Sequence, residues 1–131
     1  MNLETNKSVV RDLFARLGSG DVENALRLLA DDVRWSVQGL GTFDKNGMRG
    51  NWGGLFAGAS GDGAARMKEM TAEADRVAAE VEISVKLPDG RHYQTTSQVL
   101  LIVRDGKIAE AREYLDTAYA QRMFGGAPEP Q

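Results

Sequence analysis

Residues 77–116 read VAAEVEISVKLPDGRHYQTTSQVLLIVRDGKIAEAREYLD. Two short turn signals divide this stretch into three extended runs. Pro88-Asp89-Gly90 is the first turn, where proline presets φ and glycine supplies φ > 0. Arg104-Asp105-Gly106-Lys107 is the second, built on Asp-Gly. In the first run Val81, Ile83 and Val85 alternate with Glu80, Glu82, Ser84 and Lys86, the period of a strand with one buried face. The middle run, 91–104, is long and rich in β-branched residues. Three such runs joined by tight turns predict an antiparallel meander.

The third run, KIAEAREYLD over 107–116, poses the functional question. Read by strict alternation, one face carries Lys107, Ala109, Ala111, Glu113 and Leu115. The other carries Ile108, Glu110, Arg112, Tyr114 and Asp116. Past the strand entry, Glu113 is then the only charge on a face of Ala, Ala and Leu. It is either a carboxylate aimed into a pocket or half of an ion pair.

Upstream, the pattern is helical. Val9, Val10, Leu13, Phe14 and Leu17 form one apolar stripe over 5–18, stopped by Gly18-Ser19-Gly20. Asp21 caps a second helix to about Ala30, with Val22, Ala25, Leu26 and Leu29 inward. Val33–Gln38 alternates as a strand. Asp44 caps a third helix over about 45–57, with Met48, Trp52, Leu55 and Phe56 on one side. That helix holds Gly47, Gly50, Gly53 and Gly54, each costing about 1 kcal/mol relative to Ala. Together with the following GASGDG it reads either as a loose surface helix or as a lid over 47–63 with Trp52 as its apolar contact. Met67–Ala74 is a weaker strand, and Asp116 caps a C-terminal helix, DTAYAQRMF. The tail 125–131, GGAPEPQ, reads as disordered. Helices ahead of an antiparallel sheet give an α+β fold, one domain over 1–124, with a cavity wherever the sheet curves over the helices.

Composition narrows the function. The chain has 131 residues, 42% hydrophobic and 27% charged, with a net charge of −3 and a pI near 5.2. That charge gives no basic footprint for nucleic acid. No apolar run nears the roughly 18 residues of a membrane span. The first ten residues lack a signal-peptide core, so the expected location is cytoplasmic. With no Cys and one His, disulfides, thiolate catalysis and a zinc centre are not expected, and no cofactor or metal is foreseen. Gly39-Leu40-Gly41 starts like a dinucleotide fingerprint, but the third glycine would fall on Asp44. His92 reads as an exposed turn residue, and Met67, Met70 and Met123 as packing.

Four landmarks carry a family resemblance: LGSGD leading into VENALRLLADDV, RWSVQG, LPDGR, and VRDGKIAEAREYLD followed by a helix. In this order they resemble the nuclear-transport-factor-2-like superfamily, in its SnoaL-like and ketosteroid-isomerase-like branch. The resemblance spans about residues 5–124. It implies a cystatin-like cone with three N-terminal helices on a strongly curved antiparallel sheet and a short C-terminal helix. It also implies an apolar internal pocket and a homodimer through the outer sheet face. Members include isomerases, polyketide cyclases, epoxide hydrolases, dehydratases and pure binders, so fold alone does not select a chemistry.

Residue by residue, the isomerase groups are missing: Leu13, Val37 and Val99 stand at its polar positions. At the epoxide hydrolase's acid positions stand Glu82 and Glu113, but Glu80 replaces its Arg, and Trp35 and Val37 replace its water-holding pair. The expected catalytic residues are therefore Glu113 and Glu82, sharing a proton in a dry pocket on a small, mostly apolar substrate. The expected apolar walls are Leu13, Leu17, Trp35, Val37, Met48, Trp52, Phe56, Leu101, Ala111 and Leu115. Tyr93, Thr95 and Ser97 would orient a ligand carbonyl or hydroxyl. Two alternatives stand beside this reading: a non-catalytic small-molecule binder, and a dimeric accessory domain. Periodicity and resemblance also conflict at 80–86. Alternation turns Val81, Ile83 and Val85 to the core, whereas the resemblance turns Glu82 inward.

Overall fold

The computed structural model describes residues 2–59 and 64–125. Four helices and six strands follow the chain order α1 (Leu3–Gly18), α2 (Val22–Leu26), β1 (Leu29–Val37), β2 (Gly41–Phe43), α3 (Lys45–Phe56), β3 (Ala65–Glu73), β4 (Arg76–Lys86), β5 (His92–Arg104), β6 (Lys107–Tyr114) and α4 (Thr117–Phe124). The strands form one curved, unclosed sheet in the order β2-β1-β6-β5-β4-β3. The fold is the α+β cone the sequence predicts. Residues 126–131 of the expected tail, and 60–63 of the expected lid, lie outside the described residues.

Each helix begins where a side chain satisfies its free N–H groups. Asn2 accepts from Glu4 and Thr5 at the start of α1. Asp21, Asp44 and Asp116 do the same for α2, α3 and α4. The stripe on α1 buries Val10, Leu13, Phe14 and Leu17, and α1 lies across β3 and β4. The helix α2 ends at Leu26, four residues short of expectation. Leu29 is buried as predicted, but as a strand residue opposite Ile108. Pairing with the sheet overrides its helical spacing.

The meander β4-β5-β6 forms as read, and β3 extends it. Two features were not foreseen. The short β2 pairs back onto β1. Strand β1 also pairs with β6 in parallel, bringing Trp35 opposite Ala111 and Val37 opposite Glu113.

Strict alternation fails at the start of β6. Ile102 faces Glu110 and Val103 faces Ile108, so Ala109 is an extra residue. This bulge shifts the phase. Ile108 is fully buried ahead of it, and Ala111 is fully buried after it. Lys107 and Ala109 therefore do not share a continuous face with Glu113.

On β4 the conflict resolves in favour of periodicity. Val81, Ile83 and Val85 are buried, whereas Glu80, Glu82 and Ser84 are not. Burying three large apolar groups is worth roughly 1.5–3 kcal/mol each. The opposite phase would bury two carboxylates instead, and that cost decides the face.

Candidate functional site

A cavity of about 400 Å³ opens between α3, α4 and the concave face of the sheet. Of the residues expected to line it, Leu17, Trp35, Val37, Met48, Trp52, Phe56, Tyr93, Glu113 and Leu115 do so. Phe14, Leu40, Phe43, Asn51, Leu55, Ile83, Ala120 and Phe124 join them. The sequence placed Phe14 and Ile83 only in the core. Phe43 lies on the unforeseen β2, and Phe124 closes the last turn of α4. Asn51 carries no signal of its own in an otherwise exposed helix face.

Glu113 faces this cavity from β6. Opposite it stand Val37 on β1 and Val99 on β5. Trp35 lies two residues before Val37, hence on the same face, and its indole Nε1–H donates to Glu113 Oε1 at 2.9 Å. Trp52 of α3 meets Trp35 edge to face, with centroids 5.2 Å apart and planes at 86°. That contact fixes the indole that holds the carboxyl. Ser97, two residues before Val99, points inward as a diagonal neighbour of Glu113. It is 1% exposed, and its hydroxyl has no partner in hydrogen-bonding geometry.

Burial drives the Glu113 pKa above the ordinary value of 4.5. The bond from Trp35 and the nearby Ser97 dipole pull it back, and burial wins. No cation adds to that downward pull. Tyr93 stacks on Tyr119 at 5.3 Å and meets Phe124 edge on at 4.7 Å. Burial, reinforced by the Glu113 charge, pushes its phenol up to about 12. Tyr93 therefore stays a neutral donor over the whole physiological range.

Glu82 is a correction. It lies on the sheet's other face, where Arg66 donates to its Oε1 at 2.6 Å and Lys68 stands 3.9 Å from its Oε2. The bond from Arg66 holds its pKa below the usual glutamate range. It cannot share a proton with Glu113. Leu13, Leu101 and Ala111 are fully buried in the core and do not border the cavity. Ser97 sits beneath it, and Thr95, half-buried opposite Ile83, is outside its lining. His92 is exposed, as read, and pairs with Ser84 Oγ at 2.8 Å.

The arrangement suits proton transfer. A carboxyl half removed from water and without a cationic partner titrates above its ordinary value, the direction that suits a general acid or base. The mostly apolar walls would hold an apolar ligand against it.

The sequence model of the SnoaL-like domain matches residues 10–111. The chain belongs to the SnoaL-like family. No curated protein matches it. This SnoaL-like chain shares its fold with a de novo designed protein with a curved β-sheet, at 25% identity and a TM-score of 0.74, covering 95% of this chain and 96% of that one. A candidate SnoaL-like polyketide cyclase from Jannaschia sp. CCS1 is 15% identical, with a TM-score of 0.72 and coverage of 96% and 95%. Wild-type IdmH, a candidate polyketide cyclase from Streptomyces antibioticus, is 23% identical, with a TM-score of 0.71 and coverage of 92% and 98%. These SnoaL-like and designed neighbours share the cone, and the chemistry has to be argued from the cavity.

Proposed function

We propose that this SnoaL-like protein binds a small, mostly apolar molecule in the cavity and moves a proton on it with Glu113. One observation carries the reading: among the described residues one half-buried carboxyl, held by Trp35 and raised in pKa, faces a largely aromatic and aliphatic cavity. In this scheme Glu113, ionised, removes a proton from carbon beside a carbonyl and returns it elsewhere on the ligand. The Tyr93 phenol and the Asn51 amide are the neutral donors available to the ligand oxygen.

Solvent exchange tests this without knowing the substrate. Apolar ketones with acidic α-protons, such as β-tetralone, are incubated with the protein in heavy water, and deuterium uptake is followed by NMR. The wild type is expected to accelerate exchange, and Glu113→Gln to lose about 10²-fold or more of that acceleration. Equal rates for wild type, Glu113→Gln and buffer across the panel would remove the acid–base role.

The second reading is a binding module without catalysis. It is favoured by the position of Glu82, since among the described residues only Glu113 brings a carboxyl to the cavity. It predicts retained affinity for a neutral apolar ligand in Glu113→Gln and no exchange by either form. A dimer through the outer sheet face also belongs to the proposal. That face carries Glu80, Glu82, Lys86, Gln94 and Gln98 beside Ala78, Leu100 and Ile102 on β4 and β5, so the interface would include charged groups. Sedimentation at rising salt checks it, because a charged interface weakens with screening.

A further inference from the structure

Glu113 is an unusual tenant of its cavity for one more reason. The cavity wall includes the aromatic side chains of Trp35, Trp52 and Tyr93, and Trp35 touches Glu113 directly. Among the described residues, no Lys, Arg or His side chain lines the cavity. The neighbouring guanidiniums are engaged elsewhere. Arg91 pairs with Asp89 at 2.7 Å, and Arg122 stacks over Tyr119 at 5.8 Å. The other ionisable group on the wall, Tyr93, stays neutral. Among the described residues, an ionised Glu113 thus has neutral partners only, the Trp35 indole and the nearby Ser97 hydroxyl, and no positive one. The Ser97 hydroxyl beside it is buried and, outside its approach to Glu113, has no partner.

Two species can fill that place. One is a proton, which is the basis of the acid–base role. The other is a cation brought by the ligand. Aromatic faces attract cations through their quadrupoles, most strongly where water is excluded. A carboxylate beside them adds a charge-assisted hydrogen bond. A carboxylic acid ligand would meet the opposite: like charge and no donor cation.

We propose that the cavity selects hydrophobic amines in their protonated form, over neutral isosteres and against anions of the same shape, by pairing the ammonium with Glu113 inside the aromatic wall. The inference shares its cavity with the acid–base reading and rests on Glu113 facing the ligand, but it does not require catalysis. An amine that fits would act as a competitive inhibitor of any reaction run there.

The test uses three probes of one shape: naphthylmethylamine, naphthylmethanol and naphthoate. Each is titrated calorimetrically into the full chain at a pH where Glu113 is ionised. The amine is expected to bind about tenfold tighter than the alcohol, the gain of one desolvated cation–π contact or charge-assisted bond. Naphthoate should bind weakest. In Glu113→Gln the amine preference should vanish while the alcohol keeps its affinity, which also shows that the cavity still folds. An amine no tighter than the alcohol, including no binding by either, overturns the proposal. So does a preference that survives in Glu113→Gln. The acid–base reading is separable, because it stands on deuterium exchange and not on these affinities.

Discussion

At the scale of single residues, the site depends on one hydrogen bond between side chains 78 positions apart, Trp35 Nε1–H to Glu113. Trp35→Phe removes the donor and leaves a buried acceptor short of a partner. It should cost about 1–3 kcal/mol in urea unfolding. The Glu113 titration, followed by carboxyl carbon NMR, should move further up, because the Trp35 bond now pulls it down. Glu113→Gln should act oppositely on stability. The folded pKa lies above the unfolded value of 4.5, so as pH rises the unfolded carboxyl loses its proton first. Folded wild type then loses stability through the window between the two values. The glutamine form, which does not titrate, should show a melting temperature that climbs above wild type across that window and levels off beyond it. A pH-independent difference would show that Glu113 is not desolvated. The sequence made Glu113 legible as a lone charge on an apolar face. At Glu82 the resemblance points inward and the alternation of Val81, Ile83 and Val85 points outward, and burial of the three apolar groups decides for the alternation.

Among elements, α3 forms where it is expected, over Lys45–Phe56, despite its glycines. Gly50, Gly53 and Gly54 lie inside a formed helix, yet a Cβ at any of them would meet nothing within 4 Å. Their glycine is not demanded by packing. Gly50→Ala and Gly53→Ala should each stabilise by roughly 0.5–1 kcal/mol, read by thermal melting. If α3 moves to admit ligand, the same substitutions should slow probe association in stopped flow. Gly20 is different. Its φ is +81°, and a Cβ would sit 2.5 Å from Ala59 O. Gly20→Ala should destabilise by more than about 1 kcal/mol, combining backbone strain with a clash against a backbone carbonyl. The helices and the meander were legible because caps and Asp-Gly turns are local signals. Strand β2 was not, since three residues offer no period, and the end of α2 was lost to pairing with a distant strand. The bulge at Ala109 has no local signature either, because its cause is the register of β5 against β6.

For the whole molecule, the parallel contact between β1 and β6 is what makes a cavity out of a meander. The cone was foreseen only through resemblance, because a pairing between residues near 35 and residues near 112 leaves no mark in local periodicity. The same contact has a consequence in time. The hairpins β3-β4-β5-β6 close over short loops, whereas Trp35 must wait for a partner 78 positions away, and long-range closure is the slow part of folding. Both tryptophans of the chain, Trp35 and Trp52, stand at this last seam. In a refolding experiment, far-ultraviolet dichroism should therefore recover sheet before tryptophan emission reaches its native value. A chain still emerging from the ribosome would own a sheet before it owned a binding site, and the site would arrive only with the strand that carries its acid.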